Sequence, residues 1–132
     1  MDMTPEFILL ALTLILALVQ IGAAGMARTA ELGGKWNAGP RDGAAPPPGK
    51  VAGRLMRAQA NLFETLPIFA AAVIMAHIAG KDSALTALGA HLYFFGRLIY
   101  LPLYAFGVPY IRSLVWLAAA AGLVMVLVAL FL

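Results

Sequence analysis

Four long apolar stretches punctuate the chain, but only the first and last are free of charge over a full membrane-spanning length. A helix needs about 20 apolar residues to cross the hydrocarbon core of a bilayer. Phe7 to Ala27, FILLALTLILALVQIGAAGMA, meets that alone. Its flank, MDMTPE, carries two acids and no base, which is wrong for a signal peptide, so the segment reads as a retained span. Ser113 to Leu132 is apolar throughout. The charge-free part of the second stretch, Thr65 to Gly80, reaches roughly 24 Å as a helix, short of the ~30 Å required. That helix must draw Glu64 and Asn61 into the membrane edge. The third crosses only if Arg97 lies inside, because too few residues separate it from Asp82. Between the first two spans lies RTAELGGKWNAGPRDGAAPPPGKVAG, whose Gly and Pro content is loop chemistry. The pattern predicts an all-α membrane protein: a single domain over residues 1–132, an up-down bundle of four transmembrane helices. The expected spans are about 5–28, 54–80, 83–106 and 109–132, with a long loop over about 29–53.

Composition agrees. The 132 residues are 63% hydrophobic and 11% charged, with mean hydropathy +0.92. A soluble domain carries roughly 25% charged residues, so the solvent of this chain is largely lipid. It contains no cysteine, which removes disulfides, thiolate metal sites and a cysteine nucleophile; any sulfur chemistry must arrive with a ligand. His77 and His91 lack partners at ligand spacing, so no metal site is expected. Nine Lys and Arg do not form a solvated basic face for nucleic acid; they report topology. Arg28, Lys35, Arg41, Lys50, Arg54, Arg57, Arg97 and Arg112 fall on one side, and Lys81 on the other. The positive-inside rule then places the long loop in the cytoplasm and both termini on the non-cytoplasmic side. The Ala- and Gly-rich composition points to a bacterial source, hence an inner membrane.

At 100° per residue, Arg54, Arg57, Asn61 and Glu64 share an arc of about 80° on the second span. Tyr93, Arg97, Tyr100 and Tyr104 share about 60° on the third. Glu64 and Arg97 both lie roughly 22–25 Å from the outer turn, so they are expected to meet as a pair. Asn61, Tyr100, Tyr104 and Arg112 lie a turn or two nearer the cytoplasm. Plainer roles exist for each. Glu64 and Arg97 can be a structural ion pair, Arg54 and Arg57 can snorkel to the headgroups, and the tyrosines can form an interfacial belt. These roles leave Arg57, Arg97 and Arg112 sharing one carboxylate. Excess cations with hydroxyl donors suit an anionic ligand.

RLMRAQANLFETLPIF, from Arg54, resembles the second-helix signature of the MAPEG family, the membrane-associated proteins in eicosanoid and glutathione metabolism. GRLIYLPLYAFGVPYIRS resembles that family's third-helix Arg, with Tyr three and seven residues on and an Arg opening the fourth helix. The resemblance covers the chain from about Arg54 to its end. It implies a homotrimer that binds glutathione between neighbouring subunits near the cytoplasmic face. It implies that Arg57, Asn61 and Glu64 contact the tripeptide, that Tyr100 and Tyr104 help hold it, and that Arg97 belongs to the same glutathione-binding set. Arg112 then corresponds to the arginine that stabilises the thiolate, the catalytic candidate. Gln59 follows Arg-Ala as in the leukotriene synthases and points away from Arg57, toward an adjacent subunit, and Arg28 sits where the family has a basic residue.

Glutathione carries two carboxylates and one amine, so arginines with one Glu complement it. A nearby guanidinium favours the thiolate, the true nucleophile. The expected activity is a glutathione-dependent transferase or peroxidase acting on lipophilic electrophiles or hydroperoxides. Two alternatives stay open: a non-catalytic glutathione- or lipid-binding protein of the same fold, and a small exporter with Glu64 as its proton-coupled carboxylate.

Overall fold

The computed structural model describes residues 2–132, which form helices and, among those residues, no strand. The elements are α1 (Pro5–Leu32), α2 (Gly34–Ala38), α3 (Lys50–Ile78), α4 (Ala84–Ala105) and α5 (Ile111–Ala129). All except α2 are long and apolar enough to cross a membrane.

Two helices overrun the expected spans. α1 continues to Leu32, and α3 begins at Lys50 instead of residue 54. The membrane edge does not end a helix whose outer turns keep their own backbone bonds. Backbone punctuation does: α1 stops at Gly33, which takes φ 90°, and α3 starts after Pro48-Gly49. The expected loop also holds α2, one and a half turns whose Trp36 lies beneath the Arg41 guanidinium. Glu31 closes the connection by accepting from the Gly49 amide at 2.8 Å and from Arg28 at 3.0 Å.

Cross-helix contacts define the up-down order. At one end the Thr86 hydroxyl donates to the buried Glu6 carboxylate at 2.7 Å, and the Phe7 and His77 rings lie 4.6 Å apart. The starts of α1 and α4 therefore meet the end of α3. At the other end Glu31 of α1 reaches the start of α3, and Arg54 of α3 donates to the Ala105 carbonyl at the end of α4. That second end is arginine-rich.

The core is assembled from helical rows. Ala58, Leu62, Leu66, Phe69, Val73 and Ala76 of α3 are buried, and the Phe69 ring stacks on Tyr93 of α4 at 4.0 Å. The Tyr93 hydroxyl finds Thr65 at 2.8 Å, which satisfies a polar tip inside the bundle. Gln20 is the exception: it is buried in α1, yet its Oε1 has no partner among the described residues.

α4 and α5 make the most extensive pairing, because small residues let their backbones touch. A Cβ on Gly89 would sit 2.5 Å from the Gly122 carbonyl oxygen, and one on Gly96 would sit 2.8 Å from the Ala119 Cβ. Neither the carbonyl nor the helix carrying it can swing away as a flexible side chain would. Gly89→Ala is therefore expected to destabilise the hairpin by about 1–3 kcal/mol, the usual penalty of overpacking. Thermal unfolding in detergent reads this as a lowered midpoint.

Candidate functional site

At the arginine-rich end, three helices enclose a cavity of about 420 Å³ lined by Arg57 and Asn61 of α3, Tyr100 and Tyr104 of α4, and Arg112, Ser113, Trp116 and Leu117 of α5. Its volume is in the range that holds small-molecule ligands. Each wall follows from helical spacing. Arg57 and Asn61 are four residues apart, as are Tyr100 and Tyr104, and Arg112 and Trp116, so each pair shares a face. Arg112 is set at the mouth by a backbone device. Tyr110 takes φ 60° and ψ −62°, and the Ile111 amide donates to the Pro109 carbonyl at 2.7 Å. This positive-φ γ-turn is rare and strained for a residue with a side chain. It turns the chain sharply from α4 into α5.

Arginines and tyrosines interlock here. Arg57 Nε donates to the Tyr104 hydroxyl oxygen at 3.1 Å, which leaves that hydroxyl's own proton free for another acceptor. The Arg112 guanidinium lies 4.6 Å from the Tyr104 ring centroid, and that of Arg57 lies at 5.9 Å. Arg97 lies 4.6 Å from the Tyr100 ring. Guanidinium groups above ring faces gain cation–π attraction while their N–H edges stay available.

Arg97 is 1% exposed and stands behind the cavity wall, not on it. Its Nη1 donates to Asn61 Oδ1 at 2.7 Å, while Nε and Nη2 have no partner among the described residues. The expected Glu64–Arg97 pair does not form: among the described residues the ion pairs are Arg28–Glu31 and His77–Asp82. Glu64, three residues past Asn61 on α3, is exposed, while the Arg97 guanidinium is buried. The cavity lining contains two arginines, Arg57 and Arg112, and neither Asp nor Glu; Arg97 stands behind it, bonded to the lining residue Asn61.

The remaining candidates lie elsewhere on this chain. Arg28 and Gln59 line a second cleft of about 260 Å³ between α1 and α3, with Trp36, Asn37, Arg41 and Met56. Gln59 is two residues from Arg57, so it leaves α3 on nearly the opposite face. Arg28 is engaged by Glu31 and by the Pro46 carbonyl, and so fixes the loop. Glu64 lines neither cleft. Arg54, whose anchoring role was one option, lies over Gly107 and donates to Ala105 O at 3.5 Å, where a cation complements the end of α4.

Ser113 and Trp116 were not anticipated as site residues. Trp116 Nε1 donates to Asn61 Oδ1 at 2.9 Å. The available signal was its four-residue spacing from Arg112, masked because tryptophan in an apolar span reads as a lipid anchor. Among the described residues, no group of three or more His, Asp or Glu gathers to hold a metal ion.

A family model, described as the MAPEG family, matches residues 7–132, nearly the whole chain. No curated protein and no solved structure matches it.

Proposed function

The chain belongs to the MAPEG family, which makes it an integral, multi-pass membrane protein related to glutathione or eicosanoid metabolism, and we propose that it is a glutathione-dependent membrane transferase or peroxidase. The observation that carries this reading is the acid-free cluster of Arg57, Arg97 and Arg112 around one cavity. A buried cation without a counter-charge is costly in lipid, at least ~2.5–3.5 kcal/mol on the most lenient scale, which bears on buried Arg97 and in part on half-buried Arg112. An anionic ligand offsets that cost. Glutathione supplies two carboxylates for Arg57 and its neighbours, and a thiol for Arg112.

In this reading Arg57, Asn61, Tyr100 and Tyr104 bind the tripeptide, and Arg97 acts on it through Asn61. Arg112 stabilises the developing thiolate as the thiol proton leaves to solvent. The sulfur then attacks an electrophilic carbon delivered through the bilayer: an S–C bond forms and the leaving group departs with its electron pair. With a hydroperoxide, two glutathione molecules are oxidised to the disulfide while the O–O bond is reduced to alcohol and water.

The protein acts as a homotrimer. The second cleft, with Arg28 and Gln59, opens on the far side of α3, so in a closed ring it faces the arginine cavity of the next protomer. There Gln59 reaches a shared ligand, while Glu64, on the Arg57 side of α3, offers its carboxylate to the glutathione ammonium. The arginine-rich end is cytoplasmic and the termini are on the opposite side, in a bacterial inner membrane.

Purified protein given glutathione and a chromogenic aryl halide is expected to form the conjugate faster than glutathione alone. Saturable binding with no turnover on halides or hydroperoxides would instead identify a non-catalytic glutathione-binding protein. Absence of both would remove the reading.

A further inference from the structure

We infer that Arg97 and Trp116 are positioning residues that fix the polarity of Asn61, so that its amide NH₂ faces the cavity and accepts only a ligand atom with a lone pair to offer. This deepens the glutathione reading and rests on it.

The argument begins with the donors. Asn61 Oδ1 receives Arg97 Nη1 at 2.7 Å from α4 and Trp116 Nε1 at 2.9 Å from α5. An asparagine amide is ambiguous in shape, since its O and N ends are nearly isosteric, and its orientation must be read from its partners. Here the partners leave no choice. A guanidinium and an indole N–H can donate but never accept. Two obligate donors from two different helices converge on one end of the amide, so that end is the oxygen. The nitrogen then points away from both.

That nitrogen has somewhere to point. Asn61 lines the cavity, Nδ2 has no acceptor among the described residues, and it is not among the polar atoms sealed from the surface. Its two N–H groups are free. They are also stronger donors than those of an ordinary amide, because a charge-assisted bond to the oxygen polarises the group toward its nitrogen. Arg97 never touches the ligand; its buried charge acts one residue removed, through the amide. Nε and Nη2 of Arg97 make no hydrogen bond among the described residues, and no carboxylate lies within ion-pair distance of the group.

The chemical consequence is selectivity. Every polar group on the cavity wall can offer a hydrogen: two guanidinium groups, two phenols, a serine hydroxyl, an indole and this amide. The ligand atom that meets Asn61 is a carboxylate, peptide carbonyl or thiolate, and never an ammonium.

Asn61→Asp tests this with almost no change of shape. One carboxylate oxygen still accepts from Arg97 and Trp116, and buried Arg97 gains a counter-charge. The other oxygen replaces the free NH₂ with an acceptor. The expected result is a thermal midpoint equal to or above wild type together with a glutathione affinity at least about tenfold weaker, the scale of one lost charge-assisted bond plus a repulsion. A purely architectural Asn61 would raise the midpoint and leave affinity unchanged, and that result overturns the assignment. A signature needing no substitution accompanies it. Asn37 and Asn61 are the chain's asparagines, so protein labelled with ¹⁵N-asparagine shows two side-chain NH₂ pairs. Glutathione is expected to move the Asn61 pair; an unmoved Asn61 pair under saturating glutathione overturns the assignment even if the Asn61→Asp variant fails to fold. Wild-type protein that takes up no glutathione by calorimetry counts against the glutathione reading itself. Wild type that binds, with Asn61→Asp binding equally, counts against the polarity of Asn61 alone.

Discussion

Arg112→Ala is expected to lower the turnover number for glutathione conjugation by about 100-fold or more, with a much smaller loss of glutathione affinity. The reason is when its charge is needed. Arg112 stands at the cavity mouth on the first turn of α5, held over the Tyr104 ring. A neutral thiol gains little from it. A thiolate gains a great deal, and so does the transition state in which sulfur still carries most of its charge. Removing one fixed donor from such a site typically costs about 10²–10³ in rate. The pH profile of the variant carries the signature: with the guanidinium gone, the thiol of bound glutathione ionises closer to its free range of about 8.5. Activity of the variant should therefore recover as pH rises. The sign follows from the charge: a cation favours the anion, so its loss raises the thiol pKa. Steady-state kinetics from neutral to alkaline pH measure both effects, and equal kcat values for variant and wild type would remove Arg112 from the chemistry.

Arg57→Ala is expected to weaken glutathione binding by about ten- to a hundredfold, the range of a lost hydrogen bond to a charged partner. Arg57 is exposed, and its one bond inside the chain is to the Tyr104 oxygen. Its removal therefore changes stability little, within about 0.5 kcal/mol, as for other surface positions. Affinity and stability then separate, which is what distinguishes a ligand-binding arginine from a snorkelling anchor. Raising the salt concentration should weaken wild-type binding and narrow the gap to the variant, since a partly open charge pair is screened. A calorimetric titration at low and high salt reads both.

The architecture was legible because lipid imposes a length. About 20 apolar residues per crossing left four places for spans, and two of those fell short unless Asn61, Glu64 and Arg97 entered the membrane. The arginine and tyrosine rows were legible because 100° per residue fixes which side chains share a face, and the cavity gathers Arg57, Asn61, Tyr100, Tyr104 and Arg112 as that spacing suggested. What was not legible depended on rotation between helices. Glu64 and Arg97 were expected to pair, yet Glu64 is exposed and Arg97 is buried. Trp116 is an ordinary apolar residue until α5 is rotated against α3, and only then does its N–H find Asn61. Glu6 is similar. Near the start of α1 it reads as a water-facing acid, but α4 begins beside it and Thr86 meets its carboxylate. The helices run past the expected spans for a different reason: Gly33 and Pro48-Gly49 bound helices where the backbone requires, whatever the membrane boundary.

The most direct measurement sets the acid-free arginine cavity against the charge of its ligand: calorimetric titration of the wild-type protein with reduced glutathione and, separately, with its diethyl ester, in which both carboxylates are masked. Saturable binding of the tripeptide with little or none of the diester is the predicted outcome. Equal affinity for the two, or no saturable heat with glutathione, would contradict it, because the guanidinium groups would then be answering some other need.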